Sequence, residues 1–378
     1  MEPIRVLQED VILGPGGIES FLMNVYRHID REQLQFDFMV HRPQEAVHEK
    51  EVRELGGKIY RTPGVNPLNP SDYNKSVMEV LNAHPEYKVI HAHADLNGWA
   101  LRCAAKCGVP TRIAHCHSAK SVINAKYFLI RYEKLWIKKY CTDMFMCSTP
   151  AGEWLFGKKA VADGKVKFIK NGVESKRFQF DEKARAEIRE EIGAGDKLVF
   201  CHVGNFTQPK NNKFLVDVFA EIHKMNPNTM LIMAGDGALR EECMQKVASL
   251  GLNDSVKYLG VRKDIPRVLQ GADLFVFPSL WEGLPLSCVE AQSTGLPVLM
   301  SDSITPEVLI TDGAKTCSLS SGAEHWAKEA LELCTSYKRR DCRNDIIKAG
   351  FDIQDTADFL QEFYLERTLK AMHAQKNN

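Results

Sequence analysis

Short runs of β-branched and aromatic residues alternate with longer helix-like segments along this chain, and they do so in two series. Such alternation is typical of parallel sheets built from strand–helix–strand units. We therefore expect an α/β fold with two doubly wound, Rossmann-like domains that face each other across a cleft. The predicted strands are 4–8, 36–40, 58–61, 88–91, 112–116, 145–148 and 166–169 in the first series, and 198–203, 230–234, 256–259, 274–277, 297–300 and 315–319 in the second.

A polar segment at 174–182 follows the turn Asn171-Gly172, which ends the first series. Polar and turn-forming residues between periodic segments mark loops and linkers. We place the boundary near residue 180, with an N-terminal domain at 1–180 and a C-terminal domain at 181–351. A last helix-like segment, 352–374, could pack back on either domain.

The composition excludes several classes of protein. Lys and Arg total 49, as do Asp and Glu, so the chain lacks the global basic charge of nucleic-acid-binding domains. No apolar run approaches the roughly 20 residues that a membrane helix needs, and the N-terminus does not resemble a signal peptide. The 11 cysteines include no Cys-x-x-Cys pair, which favours reduced thiols. We expect a cytoplasmic protein.

A glycine-rich segment, GPGGIE at 14–19, follows the first predicted strand and precedes a helix-like run at 20–29. In open parallel sheets, ligands bind beyond the carboxyl ends of the strands. Glycines let a ligand approach the backbone, and a helix N-terminus attracts anions. Because Glu19 replaces the last glycine of the dinucleotide-binding pattern, the segment is either a plain turn or an anion site.

Two pairs of histidines close successive predicted strands, His91 with His93 and His115 with His117. The members of each pair share one face of an extended chain. Three roles are open: polar strand ends without a chemical role, hydrogen bonding to a hydroxylated substrate, and metal ligation. Metal ligation has the least support, because spacing fixes no carboxylate partner except Asp95.

The segment 120–139, KSVINAKYFLIRYEKLWIKK, contains six basic residues and one acidic residue. A basic amphipathic helix can lie on an anionic membrane surface. The alternative is a solvated face above a buried apolar stripe.

In the second series, the strand ending at Val203 continues into Gly204 and Asn205, and Lys210 follows before the next helix. A lysine in this place can pair with a diphosphate as a point charge. Gly235 follows the next strand. It either forms a tight turn beneath a bound ligand or is required only by the conformation of the turn.

The segment 279–285, SLWEGLP, precedes a predicted helix. Pro285 suits the first turn of that helix and Gly295 suits its C-terminal cap. Glu282 and Glu290 can each accept hydrogen bonds from vicinal hydroxyls of a hexose or a ribose. The alternative is a charged pair on a surface helix.

Taken together, the GGIE segment, Lys210 after the VGNF strand end, the Gly-Asp-Gly turn at 235–237 and the EGLP segment at 282–285 resemble the retaining glycosyltransferase family 4. The segments IAHCH (113–117) and FIKNGV (168–173) are similar to bacterial enzymes that build capsular polysaccharide, exopolysaccharide or lipopolysaccharide. The resemblance implies the glycosyltransferase B fold. It also implies transfer of a hexose with retention of anomeric configuration and without a metal or other cofactor. The sequence contains no Asp-x-Asp.

The resemblance also implies partners: a nucleotide-sugar donor, with UDP favoured as the nucleotide, and a glycan or polyprenyl-linked acceptor, but no nucleic acid. Peripheral contact with an anionic membrane through 120–139 is compatible with it. Gly16 and Gly17 would approach the donor diphosphate, and Lys210 would neutralise it. Glu282 would hold the donor sugar, and Glu290 would bind the ribose.

The place of the family's active-site histidine falls on His117, or alternatively on His115. The backbone near Val261 and Arg262 would meet the nucleobase, and the last helix, 352–374, would cross back to the N-terminal domain. The resemblance thus predicts the catalytic residues His117, Lys210 and Glu282, the donor-side residues Gly16, Gly17, Gly204, Asn205, Lys210, Gly235, Val261, Arg262, Glu282, Gly283, Leu284 and Glu290, the acceptor-side candidates His91, His93 and His115, and no metal ligand.

Asn205 departs from the family pattern, which has an arginine here beside the lysine on the diphosphate. An amide carries no charge, so either donor affinity is lower or another cation, such as Arg262 or Lys213, substitutes. Two alternative functions stay open: a nucleotide-sugar epimerase and a catalytically silent nucleotide-sugar-binding subunit.

Overall fold

The computed structural model describes residues 2–9, 12–14, 16–66, 69–93, 98–117 and 125–376, with the backbone alone at 125–132 and 375–376. The chain forms two compact units. The first comprises residues up to Gly172 together with those from Ile353 onward, and the second is Val173–Asp352.

The first unit contains a parallel sheet flanked by helices. Its strands are β1 (Ile4–Glu9), β2 (Leu34–Val40), β3 (Ile59–Arg61), β4 (Val89–Ala92), β5 (Thr111–Cys116), β6 (Asp143–Met146) and β7 (Val166–Phe168). Their spatial order is β3-β2-β1-β4-β5-β6-β7. The helices before the second unit are α1 (Gly17–His28), α2 (Glu49–Glu54), α3 (Ser71–Ala83), α4 (Gly98–Lys106), α5 (Ala125–Tyr140), α6 (Thr149–Phe156) and α7 (Lys158–Ala162).

The second unit repeats this architecture. Its strands are β8 (Leu198–Val203), β9 (Thr229–Ala234), β10 (Val256–Gly260), β11 (Leu274–Phe277), β12 (Val298–Ser301) and β13 (Ala314–Cys317), in the order β10-β9-β8-β11-β12-β13. Its helices are α8 (Glu182–Ile192), α9 (Asn212–Met225), α10 (Arg240–Ser249), α11 (Ile265–Gln270), α12 (Leu286–Ser293), α13 (Gly322–Ser336) and α14 (Arg343–Lys348). The last helix of the chain, α15 (Ile353–Lys376), belongs to the first unit.

The prediction of two doubly wound parallel sheets is confirmed, and each predicted strand lies within two residues of an observed one. The central strands were recognisable because parallel sheets covered by helices on both faces are built from continuous apolar runs. Strand β2 is buried at every residue, and so is β9.

Helix α15 packs on the first unit through its apolar face. Leu360, Phe363 and Tyr364 join the core cluster that contains Phe36 and Phe145. The rings of Phe363 and Phe145 meet edge to face with centroids 5.1 Å apart. The residue pattern left open which domain this helix covers, whereas the family resemblance implied the N-terminal domain. The contacts of the helix lie in the first unit.

The change from one unit to the other occurs at residues 172 and 173, earlier than the boundary expected near residue 180. The Val173 N–H donates to the Phe351 carbonyl oxygen over 2.8 Å, and Ser175 hydrogen-bonds Asp352. These contacts join segments far apart in the sequence, so local composition does not reveal them.

Leu360→Ala is expected to lower the free energy of unfolding of the first unit by about 2–5 kcal/mol, because it removes buried methyl groups and leaves a cavity. Leu360 is 1% exposed, whereas Leu369 on the same helix is 48% exposed. Leu369→Ala is therefore the matched control and should change stability by less than about 0.5 kcal/mol. Urea denaturation followed by circular dichroism measures both, and equal losses would contradict the packing of α15.

Candidate active site

The strand order of the second unit reverses between β8 and β11. These strands lie side by side, although β9 and β10 come between them in the sequence. Leu274 pairs with Phe200 and Phe275 with Cys201, in parallel. In open α/β sheets, a crevice opens outside the carboxyl ends of the strands at such a reversal. The loops after β8 and β11 border this position.

Backbone hydrogen bonds join the loop after β8 to the loop after β9. The Gly204 N–H donates to Ala234 O over 3.0 Å, and the Phe206 N–H donates to Asp236 O over 2.9 Å. Gly235 has a φ of +135°, and a Cβ there would overlap the Gly204 carbonyl oxygen. The close approach that requires glycine at 235 is therefore to the neighbouring loop of the protein itself.

Lys210 and Glu282 form an ion pair between the loops after β8 and β11. The Lys210 Nζ lies 2.8 Å from Glu282 Oε1, and the two side chains are 19% and 15% exposed. Nζ also lies 4.7 Å from the ring centroid of Phe277, at the end of β11. The Leu280 N–H donates to Pro209 O over 2.7 Å and ties the loops together. The structure thus brings together two residues that the sequence predicted as one site.

Gly283, Leu284 and Pro285 lead from Glu282 into α12. Leu284 is 8% exposed and anchors this turn, and Pro285 occupies the N-cap position of the helix. The partial positive charge of the helix N-terminus therefore lies three residues from the Glu282 carboxylate.

Glu290 lies in the second turn of α12 and is partly buried. Burial raises the pKa of its carboxyl to about 7, while Arg177 lowers it and Glu174 raises it. Lys210, Glu282 and Glu290 all act electrostatically on the buried thiol of Cys288, whose pKa burial raises. Three of the predicted donor-side residues therefore influence the same buried group of α12.

His202, on β8, lies beside Lys210 and was missed by the sequence analysis. Its ring is fully buried, and Nδ1 donates to the Val276 carbonyl oxygen over 2.9 Å. Burial lowers its pKa to about 4; the Val276 carbonyl raises that pKa and Lys210 lowers it. The neutral ring leaves Nε2 as an acceptor, 3.1 Å from where a Cβ of Gly204 would stand, and in the described part of the chain no group hydrogen-bonds to it. The available signal was a histidine in the otherwise apolar strand LVFCHV.

Asn205 is exposed. Arg262 and Lys213, the two cations proposed to replace the family arginine, both form ion pairs with other carboxylates. The Nε and Nη2 atoms of Arg262 each donate to the Asp264 carboxylate over 2.7 Å, and Nη1 lies 3.0 Å from Glu191. The Lys213 Nζ lies 2.5 Å from Glu242. Of these three cations, Lys210 is the one that is ion-paired with a residue of the candidate site, Glu282.

Val261, expected near the nucleobase, is 64% exposed at the end of the β10 strand. The Gly235 N–H donates to the Gly260 carbonyl oxygen over 2.9 Å. The backbone at Val261 is therefore linked to the same series of loops as Gly204.

In the first unit, Gly16 caps α1 and Gly17 begins it. Glu19 folds back over this N-terminus, since a Cβ on Gly16 would overlap its carboxylate. Burial raises the pKa of Glu19, and the backbone N–H groups of Glu19 and Gly14 lower it. A carboxylate of the chain therefore occupies the place next to Gly16, whereas a Cβ on Gly17 would meet no atom within 4 Å.

The four predicted histidines lie together at the ends of β4 and β5. His91, His93 and His115 are 0–1% exposed, and His117 is partly exposed. The ring centroids of His91 and His93 are 4.0 Å apart, as are those of His115 and His117. Burial lowers the pKa of all four and brings that of His117 to about 3, so the cluster is uncharged at neutral pH.

Nitrogen atoms of His91, His93 and His115 lie within 4.8 Å of one another, which allows metal ligation in principle. Both ring nitrogens of His93 are hydrogen-bonded, to His117 and to Gln8. A metal ion would therefore have to replace one of these bonds. Asp95, the carboxylate considered with them, lies outside the described residues.

The basic segment 120–139 is described from 125 onward as part of α5, and its side chains from 133 onward. Lys138 and Lys139 are exposed, and Leu135 is 68% exposed. Glu133 is buried, as is Ile137. In the part of the chain that the structure describes, no helix has the length and apolar character needed to cross a membrane.

Comparison with known proteins gives one family-model match for each unit. Residues 184–351 match the family model described as Glycosyl transferases group 1, and residues 15–177 match Glycosyltransferase Family 4. The chain is 31% identical over 369 residues to the putative glycosyltransferase EpsF of Bacillus subtilis (strain 168), covering 95% of this chain and 96% of the relative.

The chain is also 27% identical over 296 residues to the UDP-Gal:alpha-D-GlcNAc-diphosphoundecaprenol alpha-1,3-galactosyltransferase of Escherichia coli, covering 74% of this chain and 76% of the relative. Among solved structures, HepE of Anabaena in complex with UDP matches with a TM-score of 0.73 at 18% identity, covering 99% of this chain and 100% of that chain. Because the family models cover both units and the EpsF match spans nearly the whole sequence, this chain belongs to the group 1 glycosyltransferases and has the glycosyltransferase B fold.

Proposed function

We propose that this glycosyltransferase moves a hexose, with retention of anomeric configuration, from a nucleoside diphosphate sugar to a glycan or polyprenyl-linked acceptor. We propose further that the reaction belongs to the synthesis of a bacterial surface polysaccharide and that the donor is a UDP-sugar. The observation that carries the proposal is the Lys210–Glu282 pair at the strand-order reversal of the second unit. The Escherichia coli relative named for a UDP-Gal donor and a diphosphoundecaprenol acceptor supports it.

Donor binding begins, in this proposal, with an exchange of partners at Lys210. Oxygens of the donor diphosphate replace Glu282 Oε1 on the ammonium group, which a flexible lysine accommodates as a point charge. Glu282 is then free to accept hydrogen bonds from hydroxyls of the donor sugar. The loops beside Gly204, Gly235 and Val261 supply backbone groups to the nucleotide.

Transfer breaks the bond between C1 of the sugar and the leaving phosphate oxygen, while the acceptor oxygen bonds to C1 from the same face. The acceptor proton passes to an oxygen of the β-phosphate, so the nucleoside diphosphate leaves with that proton. Negative charge grows on the leaving group, and Lys210 stabilises it more in the transition state than in the ground state. Since a cation already acts there, we propose that no metal ion is required.

On the first unit, Gly17 is the better candidate for an approach to the diphosphate, because the Glu19 carboxylate already lies beside Gly16. His117 is the proposed active-site histidine. It is preferred to His115 because it is the partly exposed member of the pair.

The exposed lysines and Leu135 on α5 support a peripheral, electrostatic contact with the cytoplasmic face of a membrane. Co-sedimentation with anionic vesicles should then weaken as salt rises. Equal binding to neutral vesicles would rule this contact out.

A silent nucleotide-sugar-binding subunit is the second candidate, and the position of Asn205 favours it. Arg262 and Lys213 are paired with other carboxylates, so neither supplies the missing charge in this state. Tight binding of nucleotides without hydrolysis or transfer of any donor tested would establish this candidate over the first.

Lys210→Met is expected to lower kcat about 10²–10³-fold, as loss of one preorganised group that stabilises developing charge does. Lys246→Met is the matched control, since Lys246 is also partly buried and ion-paired, with Asp217 at 2.5 Å. Transfer is measured with UDP-sugars in the presence of EDTA, where the wild type should stay active. Unchanged turnover in Lys210→Met would exclude the assigned role.

The affinity for a UDP-sugar is expected to rise as the pH increases through about 7, the raised pKa of Glu290. Hydroxyl donors of a ribose favour the ionised carboxylate, so binding releases a proton and the affinity changes by at most about tenfold per pH unit. Above the pKa the carboxylate is already ionised, and the affinity should level off. Calorimetric titration of the wild type and Glu290→Gln measures this. A pH dependence that persists in the Gln variant would show that another group is responsible.

A further inference from the structure

A chain of hydrogen bonds runs inward from His117 through the first unit. The His117 Nε2 lies 3.0 Å from Nδ1 of His93, and the His93 Nε2 lies 2.9 Å from Oε1 of Gln8. Gln8 and His93 are 0% and 1% exposed. No water is needed to complete the chain, because each contact is direct.

The acceptor at the end of this chain fixes its direction. The Gln8 carbonyl oxygen can only accept, so Nε2 of His93 carries the proton and donates. A neutral imidazole has one N–H, so Nδ1 of His93 must accept from Nε2 of His117. His117 is then protonated on Nε2, and its Nδ1 holds a lone pair. That atom is buried, and none of the residues that the structure describes hydrogen-bonds to it.

Tyr364 on α15 contacts His91, the histidine whose ring lies next to that of His93. The Tyr364 hydroxyl lies 2.6 Å from Nδ1 of His91. Burial raises the pKa of the Tyr364 phenol, and the Gln8 amide lowers it. The orientation of the Gln8 amide is given by its contact with His93, where Oε1 lies 2.9 Å from Nε2, and its buried Nε2 makes no hydrogen bond to the described residues.

Both rings are neutral near pH 7. Burial lowers the pKa of His93 well below its usual range and that of His117 to about 3. An imidazolium, with two N–H donors, is therefore excluded near neutral pH, and the one-proton argument holds.

We propose that Gln8 and His93 are positioning residues that hold His117 as the Nε2–H tautomer, so that its Nδ1 accepts a hydrogen bond from a substrate hydroxyl. The substrate contact rests on the proposed function, whereas the tautomer does not. A phosphate oxygen is itself an acceptor, so this atom of His117 selects a sugar or acceptor hydroxyl and does not bind the diphosphate.

The test combines nitrogen NMR with kinetics on the full chain. Histidines labelled with ¹⁵N report which ring nitrogen is protonated, and His117→Gln assigns the signal. The variants are Gln8→Met, which keeps the length of the side chain but removes the acceptor, and Gln35→Met as the matched control. Gln35 is also a buried glutamine of the same sheet, bonded to the Tyr26 hydroxyl at 2.5 Å, outside the histidine chain.

The wild type and Gln35→Met should show His117 protonated on Nε2, and Gln8→Met should lose this preference. The value of kcat/KM should fall about tenfold in Gln8→Met alone, the loss expected for one neutral hydrogen bond, with the affinity for UDP unchanged. Addition of a UDP-sugar should shift the Nδ1 signal of the wild type.

Protonation of His117 on Nδ1 in the wild type, or an unaltered tautomer in Gln8→Met, would overturn the proposal. The expected tautomer in a wild type that transfers no sugar would overturn the proposed function and the substrate contact, while supporting the role of Gln8 and His93. If kcat/KM fell equally in Gln8→Met and Gln35→Met, the fall would be explained by general destabilisation of the fold. That result would also contradict the proposal.

Discussion

The parallel pairing of β8 with β11 is the constraint on which the candidate site depends. These strands become neighbours because the strand order reverses between them, and this places two loops from distant parts of the sequence at one edge of the sheet. Lys210 comes with one loop and Glu282 with the other, and their 2.8 Å contact is the direct result. Because Lys210 is ion-paired with a carboxylate of the protein, a second anion can bind it by replacing that carboxylate.

Burial sets the charges around that pair. His202 is neutral, because burial lowers its pKa to about 4. Glu290 titrates near neutral pH, because burial raises its pKa to about 7. The first unit uses the same device in its buried histidines, which keep one proton each. In both units, desolvation disfavours the charged form of buried side chains.

The sequence predicted the sheets well because strands covered on both faces are apolar runs that need no long-range information. It placed the unit boundary too late, because Val173 is held by Phe351, a contact that no local pattern reveals. The family resemblance assigned Lys210 and Glu282 to one donor site but did not predict their ion pair, and residue spacing alone could not establish a contact between residues so far apart in the sequence. His202 was missed because one histidine in a strand is ordinarily a core residue with a satisfied nitrogen.

The most direct test of the central claim is a double-mutant cycle on UDP affinity, measured by calorimetry for the wild type, Lys210→Met, Glu282→Gln and the double variant. If the diphosphate replaces Glu282 on Lys210, then Lys210→Met should weaken UDP binding roughly 10–100-fold, the value of a charged hydrogen bond. Glu282→Gln should leave the affinity unchanged or increase it, because the lysine no longer has to leave a carboxylate. A Glu282→Gln variant that binds UDP as weakly as Lys210→Met would contradict the account.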